Sequence, residues 1–143
     1  MVLFIVQTIL VLATVFAAFR WGSRSHRMVA SILFAVLVVN AAYDVFIDDN
    51  PIYLEFPYLR AFLDCLALAA IYVLAFNTNG WWVLWVGSAQ NLSVAAHLLR
   101  ALDVELNPLV HAVLDQWPFW IEILITAYAI ARAKYQPKTR TSY

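Results

Sequence analysis

The chain has 143 residues, of which 64% are hydrophobic and 13% are charged, and its formal net charge is zero. Soluble domains contain roughly 45–50% apolar and about 25% charged residues, and a chain this short cannot hide such an apolar excess in one water-soluble core. The composition therefore predicts an integral membrane protein, and the lack of net positive charge argues against nucleic-acid binding.

A helix that crosses a membrane needs about 20 mostly apolar residues, and five segments of the chain satisfy this requirement. In the first segment the arginines follow the apolar run, which is typical of a membrane helix and not of a cleaved signal peptide. The turn sequence NTNG separates the third segment from the fourth, and Pro57 and Pro118 stand where a first helical turn accepts proline. The predicted spans, in chain order, are residues 2–19, 28–47, 57–76, 81–101 and 118–135.

A shorter helix is predicted ahead of the fifth span. Asn107 and Pro108 are a favourable N-cap and first-turn pair. Residues 108–115 are too few to cross a membrane, so we predict that they form an interfacial helix. The predicted fold is thus a single all-α membrane domain over residues 1–143, with five transmembrane helices and one interfacial helix.

The charged residues are sorted to the two sides of these crossings. Seven of the nine basic residues follow the first or the fifth segment, whereas all nine acidic residues fall toward the opposite side. Lys and Arg remain cytoplasmic in membrane proteins, so the N-terminus is predicted outside and the C-terminus inside. Tryptophans and tyrosines near both predicted boundaries agree with this orientation.

Polar residues inside the predicted spans share helix faces. Gln90, His97 and Arg100 lie on one face of the fourth segment, and Arg60 and Asp64 are four residues apart on the third. Charged side chains are costly in lipid and persist by facing the bundle interior and pairing with one another. We therefore predict an inward-facing polar layer within one or two turns of the outer boundary. Its candidate ligand- or ion-binding residues are Asp44, Arg60, Asp64, Gln90, His97, Arg100, His111, Asp115 and Glu122.

The charges of this predicted layer do not balance, because two arginines face four carboxyls. Protonated histidines, neutral carboxyls or a bound cation would each correct the difference. The layer is either an ion-pair network that fixes helix packing or a site for a proton, a cation or a small polar ligand. No metal site is predicted, since neither His-x₃-His nor His-Glu-x-x-His is present, and His111 is placed too near the interface to form a haem pair with His97.

Other chemically distinctive residues receive structural interpretations. Cys65 is a lone thiol in an apolar run and is interpreted as a packing residue. His26 is predicted to be an exposed loop residue beside three arginines, a cluster whose secondary interpretation is contact with anionic lipid. The sequence contains no recognisable catalytic or phosphate-binding motif, so neither an enzymatic activity nor a cofactor is predicted.

The segments "AQNLSVAAHLLRAL" and "NPLVHAVLDQWPFWIEIL" resemble uncharacterised small multi-pass inner-membrane proteins of bacteria and their phages. This resemblance implies a bacterial inner (cytoplasmic) membrane and implies nothing about activity.

Three functions are compatible with the sequence. The leading interpretation is a non-catalytic accessory or scaffold subunit that contacts another membrane protein, or a second copy, through its helices. The second is a small transporter, channel or proton- or cation-binding sensor. In it Asp64 and Glu122 are the titrating groups and His97 is the proton-sharing neighbour. The counter-ions are Arg60 and Arg100. The third is a phage-type lysis or exclusion protein, which the small size and the basic tail allow.

Overall fold

A computed structural model of the protein describes residues 2–46, 58–102 and 108–135, with side chains except at 44–46, 58, 108, 109, 111, 112, 114 and 115. These residues form five α-helices, and the described ranges contain no strand. The prediction of an all-α fold is therefore confirmed. The helices are α1 (Val2–Trp21), α2 (Arg24–Phe46), α3 (Tyr58–Asn77), α4 (Trp81–Ala101) and α5 (Pro108–Tyr135).

Helix α5 is longer than the sequence predicts. It runs without interruption through Pro118, so the prediction of two separate helices, one at 108–115 and one that begins near Pro118, is wrong. The placement of these segments relative to a membrane stays a prediction. Proline removes one backbone donor from a helix, and membrane proteins tolerate this loss where neighbouring helices pack around it. Pro118 is buried in the bundle, and the remaining hydrogen bonds of this 28-residue helix carry it past the proline.

Three of the described helices are long and apolar enough to cross a membrane: Val2–Trp21, Arg24–Tyr43 and Leu59–Asn77. The outer surface of the bundle is apolar as well, and Phe76, for example, is 84% exposed. Extensive exposed apolar surface of this kind is typical of proteins that contact lipid or other proteins.

Successive helices run in opposite directions. The ammonium group of Lys134 near the end of α5 lies 4.4 Å from the ring centroid of Trp21 at the end of α1. His26 at the start of α2 stacks on Trp82 at the start of α4. The ends of α1 and α5 and the starts of α2 and α4 therefore meet at one end of the bundle. We call this end of the bundle the arginine end. Its basic residues are Arg20, Arg24, Arg27, Arg132 and Lys134.

His26 connects three helices at the arginine end. Its ring and that of Trp82 stack with centroids 4.6 Å apart, and the side chain is only 7% exposed. The Nδ1 atom of His26 accepts a hydrogen bond from the Ser23 N–H at 3.3 Å and lies 2.7 Å from the Ser23 hydroxyl, while the ring also hydrogen-bonds the backbone of Ala129. The prediction of an exposed loop histidine is wrong, because α2 begins at Arg24 and turns this face toward α4 and α5.

Helices α3 and α4 approach each other closely at Gly87. A methyl group at position 87 would lie 3.4 Å from Cγ2 of Ile71 and 3.6 Å from the ring of Tyr72. Small residues that let two helices approach closely are typical of helix contacts in membrane proteins. The resulting core joins α2, α3 and α4 through the buried residues Val29, Leu33, Ile71, Leu74, Val83 and Val86.

Candidate functional site

A cavity of about 210 Å³ lies at the end of the bundle opposite the arginine end. All five helices contribute to its wall, and most of the lining side chains are polar. We call it the polar cavity. Its polar residues are Gln7, Asn40, Arg60, Asp64, Gln90, Ser93, His97 and Gln116, and its apolar residues are Phe4, Val36, Leu37 and Phe119.

The carboxylate of Asp64 links α3 to α4 in the wall of the cavity. Gln90 donates through Nε2 to Oδ1 of Asp64 at 3.1 Å and to the Asp64 backbone carbonyl at 3.3 Å. The Nε2 atom of His97 lies 2.9 Å from Oδ2 of the same carboxylate. Because an ionised carboxylate only accepts hydrogen bonds, His97 carries a proton on Nε2 whenever Asp64 is ionised. Gln90 and His97 are two turns apart on α4, so a single helix face presents both partners.

Arg60 supplies a fixed positive charge one turn before Asp64. It lines the polar cavity, and its guanidinium carbon lies 4.9 Å from the ring centroid of Tyr43 at the end of α2. This cation–π contact holds the guanidinium group between α2 and α3. The cavity wall thus combines a guanidinium group, a carboxylate and an imidazole within the start of α3 and the end of α4.

Glu122 is the most deeply placed ionisable residue among the described side chains. It is completely buried, and within the described residues neither carboxyl oxygen has a hydrogen-bond partner. The hydroxyl of Thr126 donates to the backbone carbonyl of Glu122 and not to the carboxyl group. Glu122 follows Phe119, a residue of the cavity wall, by three positions on α5.

The sequence predicts Glu122 within two turns of an outer membrane boundary, and this placement stays a prediction, whereas its position along α5 is defined by the fold. The residue lies fourteen positions after the start of α5, which is roughly 21 Å along the helix axis. Its neighbour Ile123 packs against Val11 and Leu37, near the middle of α1 and α2. Glu122 therefore lies near the middle of the bundle, on the side of the polar cavity that faces the arginine end.

The structure gathers four of the nine predicted site residues around the polar cavity: Arg60, Asp64, Gln90 and His97. Glu122 lies beneath it and does not line it. The side chains of the remaining acidic and histidine candidates, Asp44, His111 and Asp115, lie outside the described residues. The binding role assigned to all nine stays a prediction.

Arg100 does not face the bundle interior as predicted. It is exposed, because it occupies the last turn of α4, which ends at Ala101. A long arginine side chain at a helix end reaches the polar surroundings, where its charge is also favourable beside the free carbonyls of the C-terminal turn.

The sequence interpretation assigned Asp115 and Glu122 of α5 to the polar layer but missed the two residues of α5 that line the cavity. Gln116 and Phe119 line the polar cavity ahead of Glu122, at a regular spacing of three residues. This helical period was present in the sequence, but the predicted span began only at Pro118 and left Gln116 outside it. If the helical period is extended through Pro118, it predicts that Gln116, Phe119 and Glu122 share one face of α5.

Unsatisfied buried oxygen atoms distinguish this region from an ordinary packed core. Oδ1 of Asn40, a cavity residue, and both carboxyl oxygens of Glu122 are buried and accept no hydrogen bond in the described part of the chain. Buried polar atoms are nearly always paired, so these three acceptors are unusual for a packed interior. No group of three His, Cys, Asp or Glu residues able to hold a metal ion occurs among the described residues.

Comparisons of the chain with protein-family models, with curated proteins and with solved structures found no match. The functional interpretation therefore depends on the fold and on the chemistry of the polar cavity.

Proposed function

We propose that the protein is a small non-catalytic multi-pass membrane protein whose polar cavity binds a proton or a small cation. It would act as a sensor of, or a pathway for, that ion in a bacterial inner membrane. The observation that carries this proposal is the set of buried oxygen atoms at Asn40 and Glu122 that accept no hydrogen bond from any described residue, beside a polar cavity to which all five helices contribute.

The membrane arrangement that we propose has five crossings with the cavity end outside. Three helices have the length and apolarity of spans, and the alternating directions of the bundle carry α4 and α5 across the same thickness. The arginine end collects five basic residues, and by the positive-inside rule this end faces the cytoplasm. Gln90, Ser93 and His97 of α4 then face the cavity and not lipid.

The size and charge of the polar cavity favour a proton or a small cation over a larger ligand. Clefts for drug-sized ligands measure about 300–1,000 Å³, whereas this cavity measures about 210 Å³. The described carboxyls near it, Asp64 and Glu122, outnumber the one arginine that lines it. A charged side chain at the centre of a membrane helix costs about 2.5–3.5 kcal/mol, so a bound positive charge next to Glu122 would be strongly favoured.

Thermal unfolding of the purified full chain in mild detergent tests this proposal. We expect the midpoint of the wild-type protein to change with pH, or to rise in NaCl or KCl relative to choline chloride at equal ionic strength. Saturating a site stabilises by about 2.7 kcal/mol at 100 times Kd, which corresponds to roughly 5–10 °C for a chain of this size.

Two isosteric variants and one control make the result specific. Glu122→Gln and Asp64→Asn should lose the dependence on pH or cation, while Asn77→Leu should retain it, because Asn77 is exposed and donates to the carbonyl of Val73 in its own helix. A wild-type midpoint that is unchanged across both series would contradict the proposal. So would a response that both site variants keep.

A second candidate function is that of an accessory subunit acting through helix–helix contacts. Only Val11, Thr14 and Ala18 of α1 are buried, so most of the surface of this helix is available to lipid or to a partner helix. Size-exclusion chromatography coupled to native mass spectrometry would test it. A monomer without any co-purifying protein argues against this function and leaves the ion-binding proposal intact.

A further inference from the structure

A second concave surface lies at the arginine end, between the first turns of α2 and the last turns of α3. Its volume is about 1060 Å³ and it opens to the surroundings of the bundle. We call it the arginine groove. The residues that define its chemistry are Arg24, Arg27, Met28, Ile32, Val73 and Leu74.

The mouth of the arginine groove is positively charged and has no acidic neighbour from its own helices. Arg24 and Arg27 are both exposed there. The sequence contains no Asp or Glu in residues 1–43 or 65–102, so neither wall brings a carboxylate to this end. The guanidinium carbon of Arg27 lies 5.9 Å from the ring centroid of Phe19, a contact that orients the group without neutralising it. The first turn of α2 adds the partial positive charge of a helix N-terminus.

The interior of the groove is apolar. Leu74 is buried and Ile32 is half-buried, while Met28 and Val73 expose 43% and 61% of their surfaces along the walls. Ile32 lies five residues beyond Arg27, or about 8 Å farther toward the centre of the bundle. A purely ionic ligand would leave this surface uncovered, whereas a ligand with a charged head and a hydrocarbon tail would contact the mouth and the walls together.

We propose that the arginine groove binds one anionic phospholipid. Its phosphate lies between Arg24 and Arg27, and one acyl chain follows the apolar wall past Met28 and Val73. The bidentate fork of arginine suits phosphate oxygens, and anionic lipids are attracted by basic residues at the membrane surface. This inference rests on the membrane residence proposed above and is independent of the polar cavity at the other end.

Native mass spectrometry of the full chain, released from mixed micelles, tests the proposal directly. The probes are phosphatidylglycerol and phosphatidylcholine with identical acyl chains, each titrated separately. We expect one phosphatidylglycerol to remain bound under conditions that remove all phosphatidylcholine. The double variant Arg24→Gln/Arg27→Gln should weaken phosphatidylglycerol binding about 30-fold, a factor of about five for each arginine.

The matched control variant also removes two positive charges from the arginine end, but at positions outside the groove. Arg132→Gln/Lys134→Gln should bind phosphatidylglycerol as the wild-type chain does, because neither residue lines the groove. Ala70→Trp fills the groove and leaves both arginines in place, so it should lose the lipid as the arginine variant does. Monodisperse elution and helical circular dichroism establish that each variant folds. If the double variant does not fold, Arg24→Gln and Arg27→Gln are measured singly, with a loss of about fivefold each.

Three results would overturn the proposal. Equal losses in the groove and control pairs would indicate attraction by surface charge in general. Retention of lipid by Ala70→Trp would show that no acyl chain enters the groove. Competition by soluble glycerol phosphate at equal concentration would identify a small-phosphate site. In each case an intact cation or pH response of the wild-type protein would leave the function proposed for the polar cavity standing.

Discussion

The Asp64 side chain connects α3 to α4 in the wall of the polar cavity. Its two carboxylate oxygens contact Gln90 and His97, and both contacts join α3 to α4. Hydrogen bonds between membrane helices contribute less than their burial suggests, because the unfolded chain in lipid also finds partners. We therefore expect the contacts of Asp64 with Gln90 and His97 to fix the position of the Asp64 carboxylate more than they stabilise the bundle.

A double-mutant cycle measures the contact between Asp64 and His97. We expect Asp64→Ala and His97→Ala to show a coupling free energy of about 0.6–1.7 kcal/mol in reversible detergent unfolding. The control cycle pairs Asp64→Ala with Ser88→Ala, whose coupling should be near zero because the exposed Ser88 donates to the Leu84 carbonyl in its own helix. Equal couplings in the two cycles would contradict the contact.

Glu122 provides a second test at the residue scale. Its carboxyl is buried without a hydrogen-bond partner in the described part of the chain, which is costly for stability. Replacing it with an apolar residue of similar size, Glu122→Leu, should raise the free energy of unfolding by about 1–3 kcal/mol and remove the response to pH or cations. Thr126→Val, one turn away, should change stability little, because its hydroxyl bonds only a backbone carbonyl. A less stable Glu122→Leu protein with its ion response intact would show that the carboxyl is structural.

At the scale of helices, apolar length and turn residues were sufficient to locate most elements. Helix α4 occupies the predicted residues 81–101, since the Asn- and Gly-containing turn before it ends α3 sharply. Helix α5 was misjudged because proline favours a first turn yet is tolerated inside a packed membrane-type helix, and only tertiary contacts decide between the two. The i, i+7 spacing of Gln90 and His97 revealed their shared face. The position of Glu122 along the bundle depends on where α5 begins. The residue spacing within α5 does not define that starting point.

The close approach of α3 and α4 can be tested at Gly87. A methyl group there already reaches van der Waals contact with Ile71, so Gly87→Leu should force the helices apart and lower the free energy of unfolding by about 1–3 kcal/mol. Ser88→Leu is the matched control, because Ser88 is the next residue, is exposed and tolerates an apolar side chain in lipid. Unfolding in mild detergent compares the two variants. Equal stabilities would mean that this contact does not hold the pair together.

At the scale of the whole molecule, the two ends of the bundle have different chemistry. The arginine end carries basic residues, aromatic stacking and a groove with apolar walls. The opposite end holds the polar cavity, with a carboxylate, an imidazole and amides in its wall. In the arrangement that we propose, this separation would place the lipid contact at the cytoplasmic side of the membrane and the ion site toward the other side. This arrangement requires that α4 crosses the full thickness of the membrane.

Cysteine labelling in intact cells tests this crossing, with the native thiol first removed by Cys65→Ser. Asn79→Cys lies in the turn before α4 and Leu102→Cys lies just after it, and both positions are exposed. We expect a membrane-impermeant maleimide to label Leu102→Cys in intact cells and Asn79→Cys only after permeabilisation, because basic residues keep the arginine end in the cytoplasm. Labelling of both positions from one side would show that α4 does not span. The reverse pattern would place the polar cavity in the cytoplasmic half, where the ion it binds would come from inside the cell.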